Sequence, residues 1–182
     1  MKRKVILLLM ICLVVLTGCG DNGEKIFLKF AENVGAAGEI SFTAKVRAEY
    51  SDKTAEFTLD YEQDSEGTEI EIVEPETVKG IKAKVSNDGL SLEYEGAILD
   101  IGKLTDRGLS PVSALPLLAG AMKDAHIDLV WTEENLVAAR LIPADDTVVT
   151  LWISSDLVPQ NAEITYKDQT LVYIEISDWE VG

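Results

Sequence analysis

Apolar and polar residues alternate with a period of two through most of this sequence from Ile40 onward. The first such segment places Ile40, Phe42 and Ala44 between polar Ser41 and Thr43. Successive side chains of a strand point to opposite faces of a sheet, so this pattern predicts strands with one buried face. About eleven segments carry it, separated by turn-forming residues. The predicted strands are 40–50, 55–61, 68–73, 81–85, 90–94, 97–101, 127–132, 136–142, 147–153, 162–166 and 170–176.

Two segments break this period and follow helical spacing instead, at 24–35 and 111–125. Strands joined by short turns pair as antiparallel neighbours, and a sheet of this width must curl or close. We therefore expect an α+β protein, with a curved antiparallel sheet or unclosed β-barrel of about eleven strands and covering helices.

The N-terminus has the layout of an export signal. Residues 1–4 carry Lys2, Arg3 and Lys4, and residues 5–16 are almost all aliphatic. A membrane-spanning helix needs about 20 apolar residues, and this run is shorter. The segment is therefore expected to be a signal that is removed.

The signal ends in Leu16, Thr17, Gly18 and Cys19, a run that resembles the lipobox of bacterial lipoproteins. The alternative is an ordinary signal peptide with a chance cysteine. The resemblance implies that the Cys19 sulfur carries a diacylglyceryl group with acyl chains such as palmitate, and that cleavage precedes this cysteine. Two or three chains hold a protein on a membrane, at roughly 0.8 kcal/mol per buried methylene. We expect a removed signal at 1–18, a lipidated tether at 19–23 and one domain at 24–182, anchored outside the cytoplasm to the cell membrane.

Cysteine content and charge narrow the possibilities further. Of the two cysteines, Cys12 lies in the signal, so the mature chain has no internal disulfide. Three of the 16 basic and none of the 32 acidic residues lie in the signal, which leaves a formal net charge of −19. Such acidity excludes nucleic acid as a partner, because phosphate backbones require basic patches. It also leaves the lipid anchor as the expected attachment to the membrane.

Recognisable catalytic and metal-binding patterns are missing from the sequence. No nucleophile elbow, zinc-protease motif, Walker loop or dinucleotide fingerprint is present. The single histidine, His126, has no second histidine or mature cysteine with which to bind a transition metal. The carboxylate pairs at 133–134 and 145–146 fall in predicted turns, where acids usually face water. We predict a non-enzyme without cofactor or metal.

Two local runs resemble the LolA/LolB-type lipoprotein-localisation family. They are the hairpin at 85–94, with its Asp-Gly turn and late aromatic, and Leu-Trp-Ile at 151–153 before Leu-Val-Pro at 157–159. The resemblance implies an unclosed antiparallel barrel, covered by helices, around an apolar cavity. It departs from the family at Glu74-Pro75, where the carriers have an Arg-Pro step whose arginine holds a helical lid. Such a lid latch is not expected here.

The lipobox, length and strand order also resemble the clostridial GerS-like germination lipoproteins. This resemblance implies a non-enzymatic protein that binds and licenses a cell-wall amidase during spore germination.

Four aromatic residues are candidates for a ligand cavity: Phe42, Phe57, Trp131 and Trp152. By default such residues fill a core, whereas an apolar cavity lined by them could take up an acyl chain. The main functional hypothesis is therefore a membrane-anchored protein that binds a lipid or a lipoprotein acyl chain. The alternative is an accessory lipoprotein that docks an envelope protein, such as a cell-wall amidase, through an exposed strand edge of a filled barrel.

Overall fold

A computed structural model describes residues 21–49, 53–86, 89–102 and 110–182. Within these residues, two helices and eleven strands occur in the predicted order. The helices are α1 (Asp21–Ala36) and α2 (Pro111–Asp124). The strands are β1 (Ile40–Glu49), β2 (Thr54–Gln63), β3 (Thr68–Glu74), β4 (Lys82–Ser86), β5 (Gly89–Tyr94), β6 (Ala97–Gly102), β7 (His126–Glu133), β8 (Leu136–Ala144), β9 (Thr147–Ile153), β10 (Pro159–Tyr166) and β11 (Gln169–Val181).

All eleven strands belong to one antiparallel sheet, in the order β6-β5-β4-β3-β2-β1-β11-β10-β9-β8-β7. Strands β1 to β6 form one meander, and β7 to β11 form a second. The two meanders meet where β1 pairs with β11, from Ile40 opposite Val181 to Ala48 opposite Val172. Among the described residues β6 pairs with β5 alone and β7 with β8 alone, so the sheet is unclosed.

One face of the sheet is apolar because the period-two pattern places its apolar residues there. In β1, Ile40, Phe42, Ala44, Val46 and Ala48 are buried, whereas the side chains between them are partly or fully exposed. The same alternation continues through β9, where the buried residues are again every second one. We call the buried face the inner face and the opposite one the outer face.

Both helices pack on the inner face. Helix α1 contacts β7 and β8, whereas α2 contacts β8, β1 and β2, and the helices contact each other. Ser110 caps the N-terminus of α2, because its hydroxyl accepts a hydrogen bond from the Ser113 amide while the Ser113 hydroxyl accepts one from the Ser110 amide. The helices contribute mainly large apolar side chains to the core: Phe27, Phe30, Val34, Leu115, Leu118 and Met122.

The predicted fold class is confirmed: an unclosed, curved antiparallel sheet is covered by two helices. One boundary differs, since α1 begins at Asp21, whereas the sequence analysis placed residues 21–23 in a tether. The short polar side chains there suggested a linker, yet they form the first turn of the helix. The predicted signal peptide and the first two tether residues lie outside the described residues, as do residues 87 and 88 of the predicted hairpin turn.

Candidate binding surfaces

The four aromatic residues predicted to line one cavity lie on opposite faces of the sheet. Phe42 is buried on the inner face, and Phe57 packs partly buried against the same core. Trp131 and Trp152 occupy the outer face, because both stand opposite Ala138, whereas the neighbouring Ala139 belongs to the core. The structure thus places Phe42 and Phe57 on one face of the sheet and Trp131 and Trp152 on the other.

The inner face is filled by aromatic side chains in mutual contact. The Phe42 ring stacks on the Tyr61 ring with centroids 4.6 Å apart, and Trp179 lies 5.7 Å from Phe42. Phe30 of α1 extends this group to the helix, 6.1 Å from Trp179 and 5.8 Å from Phe27. Close-packed rings at these separations are typical of a core. Burial raises the pKa of Tyr61 to about 12, and its hydroxyl lies 3.2 Å from the Gln63 side-chain oxygen.

Two cavities lined by described residues lie away from the helices, since neither has a lining residue from α1 or α2. The larger, about 840 Å³, lies where β1 and β4 meet the ends of β2 and β11. Its wall is mainly polar and includes seven charged side chains: Glu39, Glu62, Asp64, Glu66, Glu69, Lys84 and Glu180. An acyl chain requires an apolar lining, so this cavity does not have the chemistry of the predicted ligand site.

A tryptophan pair on the outer face shares one carboxylate. The indole Nε1 atoms of Trp152 and Trp131 both donate to the same oxygen of Glu133, at 3.0 and 3.2 Å. These two hydrogen bonds lower the pKa of Glu133, Trp152 having the larger effect. Ala138, between the two tryptophans on the sheet, is fully buried although it points away from the core. We call Trp131, Trp152 and Glu133 the tryptophan cluster.

Sequence reasoning missed the role of Glu133, which it assigned to a solvated turn. The available signal was its position two residues after Trp131, on the same face of the same strand. Its second partner, Trp152, is 19 residues away and becomes apparent only from the register of β8.

The smaller cavity, about 350 Å³, lies beside the tryptophan cluster on the outer face of β1, β11, β10 and β9. Trp152, Asn161, Glu163, Tyr173 and Arg47 contribute to its wall. The Arg47 guanidinium carbon lies 4.4 Å from the centroid of the Tyr173 ring, a cation–π contact. Burial, and to a smaller extent the negative charge of Glu133, raises the pKa of Glu163.

The β6 edge of the sheet carries exposed apolar side chains. Ile98 is 71% exposed and Leu99 is 62% exposed, and Tyr94 of the adjacent β5 is also exposed. Ile98 and Leu99 are consecutive, so they point to opposite faces. Opposite partners confirm this, since Leu99 stands beside the inner-facing Leu92 and Ile98 beside Glu93. An unpaired strand edge with apolar residues on both faces is a site where another strand can add.

Glu74, which replaces the arginine of the Arg-Pro step, points away from the helices. Its carboxylate accepts a 2.7 Å hydrogen bond from the hydroxyl of Thr58. Thr58 stands opposite the exposed Lys45, on the outer face. Glu74 thus stabilises the pairing of β2 with β3 on the outer face.

The other residues singled out from the sequence are Cys19, the lipobox residues before it and His126. Cys19 and the preceding Leu16, Thr17 and Gly18 lie outside the described residues. His126 is exposed at the start of β7. In the described ranges, no group of three or more His, Cys, Asp or Glu residues could hold a metal ion, and neither helix has the length and apolar character needed to cross a membrane.

No protein-family model matches the chain, and no curated protein matches it in sequence. Among solved structures, an uncharacterised conserved protein from Thermus thermophilus superposes with a TM-score of 0.51 at 9% identity, over 89% of this chain and 88% of that one. A LolA superfamily protein from Nitrosomonas europaea gives 0.46 at 13% identity, over 88% and 93%. The complex of the CwlD amidase with the GerS lipoprotein from Clostridioides difficile gives 0.47 at 14% identity, over 86% and 94%. The superposition on the Thermus thermophilus protein shows a likeness of fold alone.

Proposed function

We propose that this LolA-like chain is a lipid-anchored extracytoplasmic protein that acts by binding, without enzymatic activity, and that it docks a protein partner through the β6 edge. The observation that carries the proposal is the combination of a filled inner face with an unpaired, apolar strand edge. This is the alternative that the sequence analysis left open.

The filled interior favours a protein partner over an acyl chain. Phe27, Phe30 and Tyr61 are each only 1% exposed, and Leu115 and Leu118 are fully buried. An acyl chain entering between helices and sheet would have to displace these side chains, and a packed core resists such rearrangement. Binding at the surface requires no comparable change.

The β6 edge offers both components of strand addition. Among the described residues β6 pairs with β5 alone, and strand addition would use the main-chain N–H and C=O groups of its other edge. Ile98 and Leu99 supply apolar contacts on the two faces of an added strand. Exposed apolar residues on a sheet edge are a liability that proteins usually remove, and their retention here is explained by a partner that covers them.

The anchor at Cys19 would hold this binding domain at the outer surface of the cell membrane. The lipobox resemblance and the basic start of the signal support this location. A surface-held domain meets its partners in two dimensions, which raises their effective concentration. The proposed role is therefore that of an accessory protein for an envelope protein.

Native mass spectrometry of the tagged protein, extracted from its own membrane after mild crosslinking, tests this proposal. We expect a protein-sized adduct, which Ile98→Glu should strongly reduce because it places a charge on the apolar edge. Leu28→Glu is the matched control, since Leu28 is 50% exposed on α1, away from β6. A lipid-sized mass that is lost on denaturation would instead support the acyl-binding hypothesis, and equal adducts in both variants would rule out the β6 edge.

A further inference from the structure

We propose that the smaller cavity on the outer face receives the cationic end of a lysine or arginine side chain from the protein partner, held among Trp152, Tyr173 and Glu163. This inference rests on the proposed function, to which it adds the chemistry of a second contact with the partner. The cavity lies on β1, β11, β10 and β9, away from the β6 edge.

The register of four strands builds this site. On the outer face, Glu163 of β10 stands between Thr150 of β9 and Tyr173 of β11. Two residues earlier on β10, Asn161 stands beside Trp152. Neighbouring strands lie about 4.8 Å apart, so the two aromatic rings and the carboxylate are within reach of one side chain. The cavity volume, about 350 Å³, is enough for such a group.

Glu163 is the partly buried carboxylate of the cavity wall, whereas Glu56 and Glu175 are exposed. Glu163 makes no hydrogen bond or ion pair with any residue that the structure describes. The nearby negative charge of Glu133 adds repulsion, and both effects raise the pKa of Glu163. A cation placed beside Glu163 would offset the desolvation and the repulsion together.

The aromatic side chains supply the second component. Both indole N–H groups of the tryptophan cluster donate to Glu133, which orients the two rings, and Trp152 also lines the cavity. Tyr173 already holds the Arg47 guanidinium over its ring. Aromatic faces with a carboxylate at the side are the usual surroundings of a bound ammonium or guanidinium group.

The charged residues of the cavity wall determine which ligand charge it can accept. Its titratable lining residues are Lys45, Arg47, Glu56, Glu163, Tyr173 and Glu175. The two cations belong to β1, where Arg47 pairs with Glu49 at 3.4 Å and Lys45 stands opposite Glu175. Glu56 stands opposite Arg47, so each of these cations has a carboxylate beside it. Glu163 lies toward β9 and the tryptophan cluster, and it is the carboxylate that an incoming cation would meet there. A carboxylate or phosphate ligand would be repelled by the negative charge of Glu163.

The experiment is a titration of the full-length lipoprotein in detergent micelles, followed by the three tryptophan indole N–H signals in NMR spectra. The probes are acetyl-Gly-Arg-Gly-amide, the lysine analogue and the uncharged acetyl-Gly-Gln-Gly-amide, each at the same ionic strength. We expect the arginine and lysine peptides to shift the Trp131 and Trp152 signals saturably, while Trp179, on the inner face, stays unchanged. Glu163→Gln should weaken this binding roughly tenfold, the effect of losing one charge-assisted hydrogen bond.

Glu180→Gln is the control, because it removes the same charge from an exposed position outside this cavity. The inference is overturned if the glutamine peptide shifts the signals equally, if Glu163→Gln binds like the unmodified protein, or if no peptide shifts them. A chitin oligosaccharide that shifts the same signals, where the peptides do not, would reassign the site to saccharides. The titration needs no partner, so its failure is distinguishable from a failure to capture a partner at the β6 edge.

Discussion

The Trp152 indole of β9 donates a 3.0 Å hydrogen bond to the Glu133 carboxylate of β7, across the intervening strand β8. The pair brings β7 and β9 together on the outer face, over Ala138 of β8. It links side chains of two strands that are not neighbours in the sheet. The first two predictions concern this surface, the third the inner face and the fourth the anchor.

The tryptophan cluster is expected to respond to acid before the fold does. The pKa of Glu133 lies below its ordinary value of 4.5, because the charged carboxylate accepts the two indole hydrogen bonds. The stabilisation is therefore present above that ordinary value and is lost as the pH falls through the lowered pKa. Indole N–H signals of Trp131 and Trp152 should move together in that acidic range while Trp179 does not. Glu133→Gln should abolish this titration, and a titration that persists in this variant would contradict the assignment.

Glu163→Gln is expected to stabilise the protein slightly at neutral pH. The pKa of Glu163 is raised above 4.5 in the folded state, so ionisation costs stability as the pH rises above the unfolded value. Solvent screening limits the gain to no more than about 0.5 kcal/mol. Urea unfolding at neutral pH and well below pH 4.5 checks this, because the difference should vanish in acid. Destabilisation at neutral pH would show that Glu163 has a favourable partner.

Phe30→Ala tests whether the inner face is filled. Phe30 is 1% exposed and contacts the rings of Phe27 and Trp179, so its loss leaves a cavity in packed surroundings. We expect the free energy of unfolding to fall by about 3–5 kcal/mol. Leu28→Ala on the same helix should change it by about 0.5 kcal/mol at most, since Leu28 is half exposed. A small effect of Phe30→Ala would indicate an open interior and revive the acyl-binding hypothesis.

Cys19→Ala should give a protein without acyl chains that is uncleaved or released from the membrane. Intact mass and fractionation of cell membranes measure both outcomes. Cys12→Ala is the matched control, because Cys12 lies within the predicted signal and should leave acylation unchanged. An acylated, membrane-bound Cys19→Ala protein would show that another residue carries the lipid.

The sequence predicts the strands well and the faces of the tryptophans poorly. Where one face is polar, as in β1, alternation fixes both the strand and its buried side. In β9, however, Leu151, Trp152 and Ile153 are consecutive apolar residues, so the period does not say which side faces the core. Val130 and Trp131 of β7 present the same ambiguity. Only the register through Ala138 places both tryptophans outside, and that register depends on long-range pairing that no local pattern contains.

The pairing of β1 with β11 also affects the order in which the strands can assemble. The strand that follows α1 finds its neighbour in the last strand of the chain, with Ile40 opposite Val181. A chain that emerges N-terminus first can therefore assemble β1 to β6, while one edge of β1 stays unpaired until β11 is present. Contacts between such distant positions slow folding. The first meander could thus form before the domain is complete, and a chain that ends before β11 would lack the strand pairing that joins the two meanders.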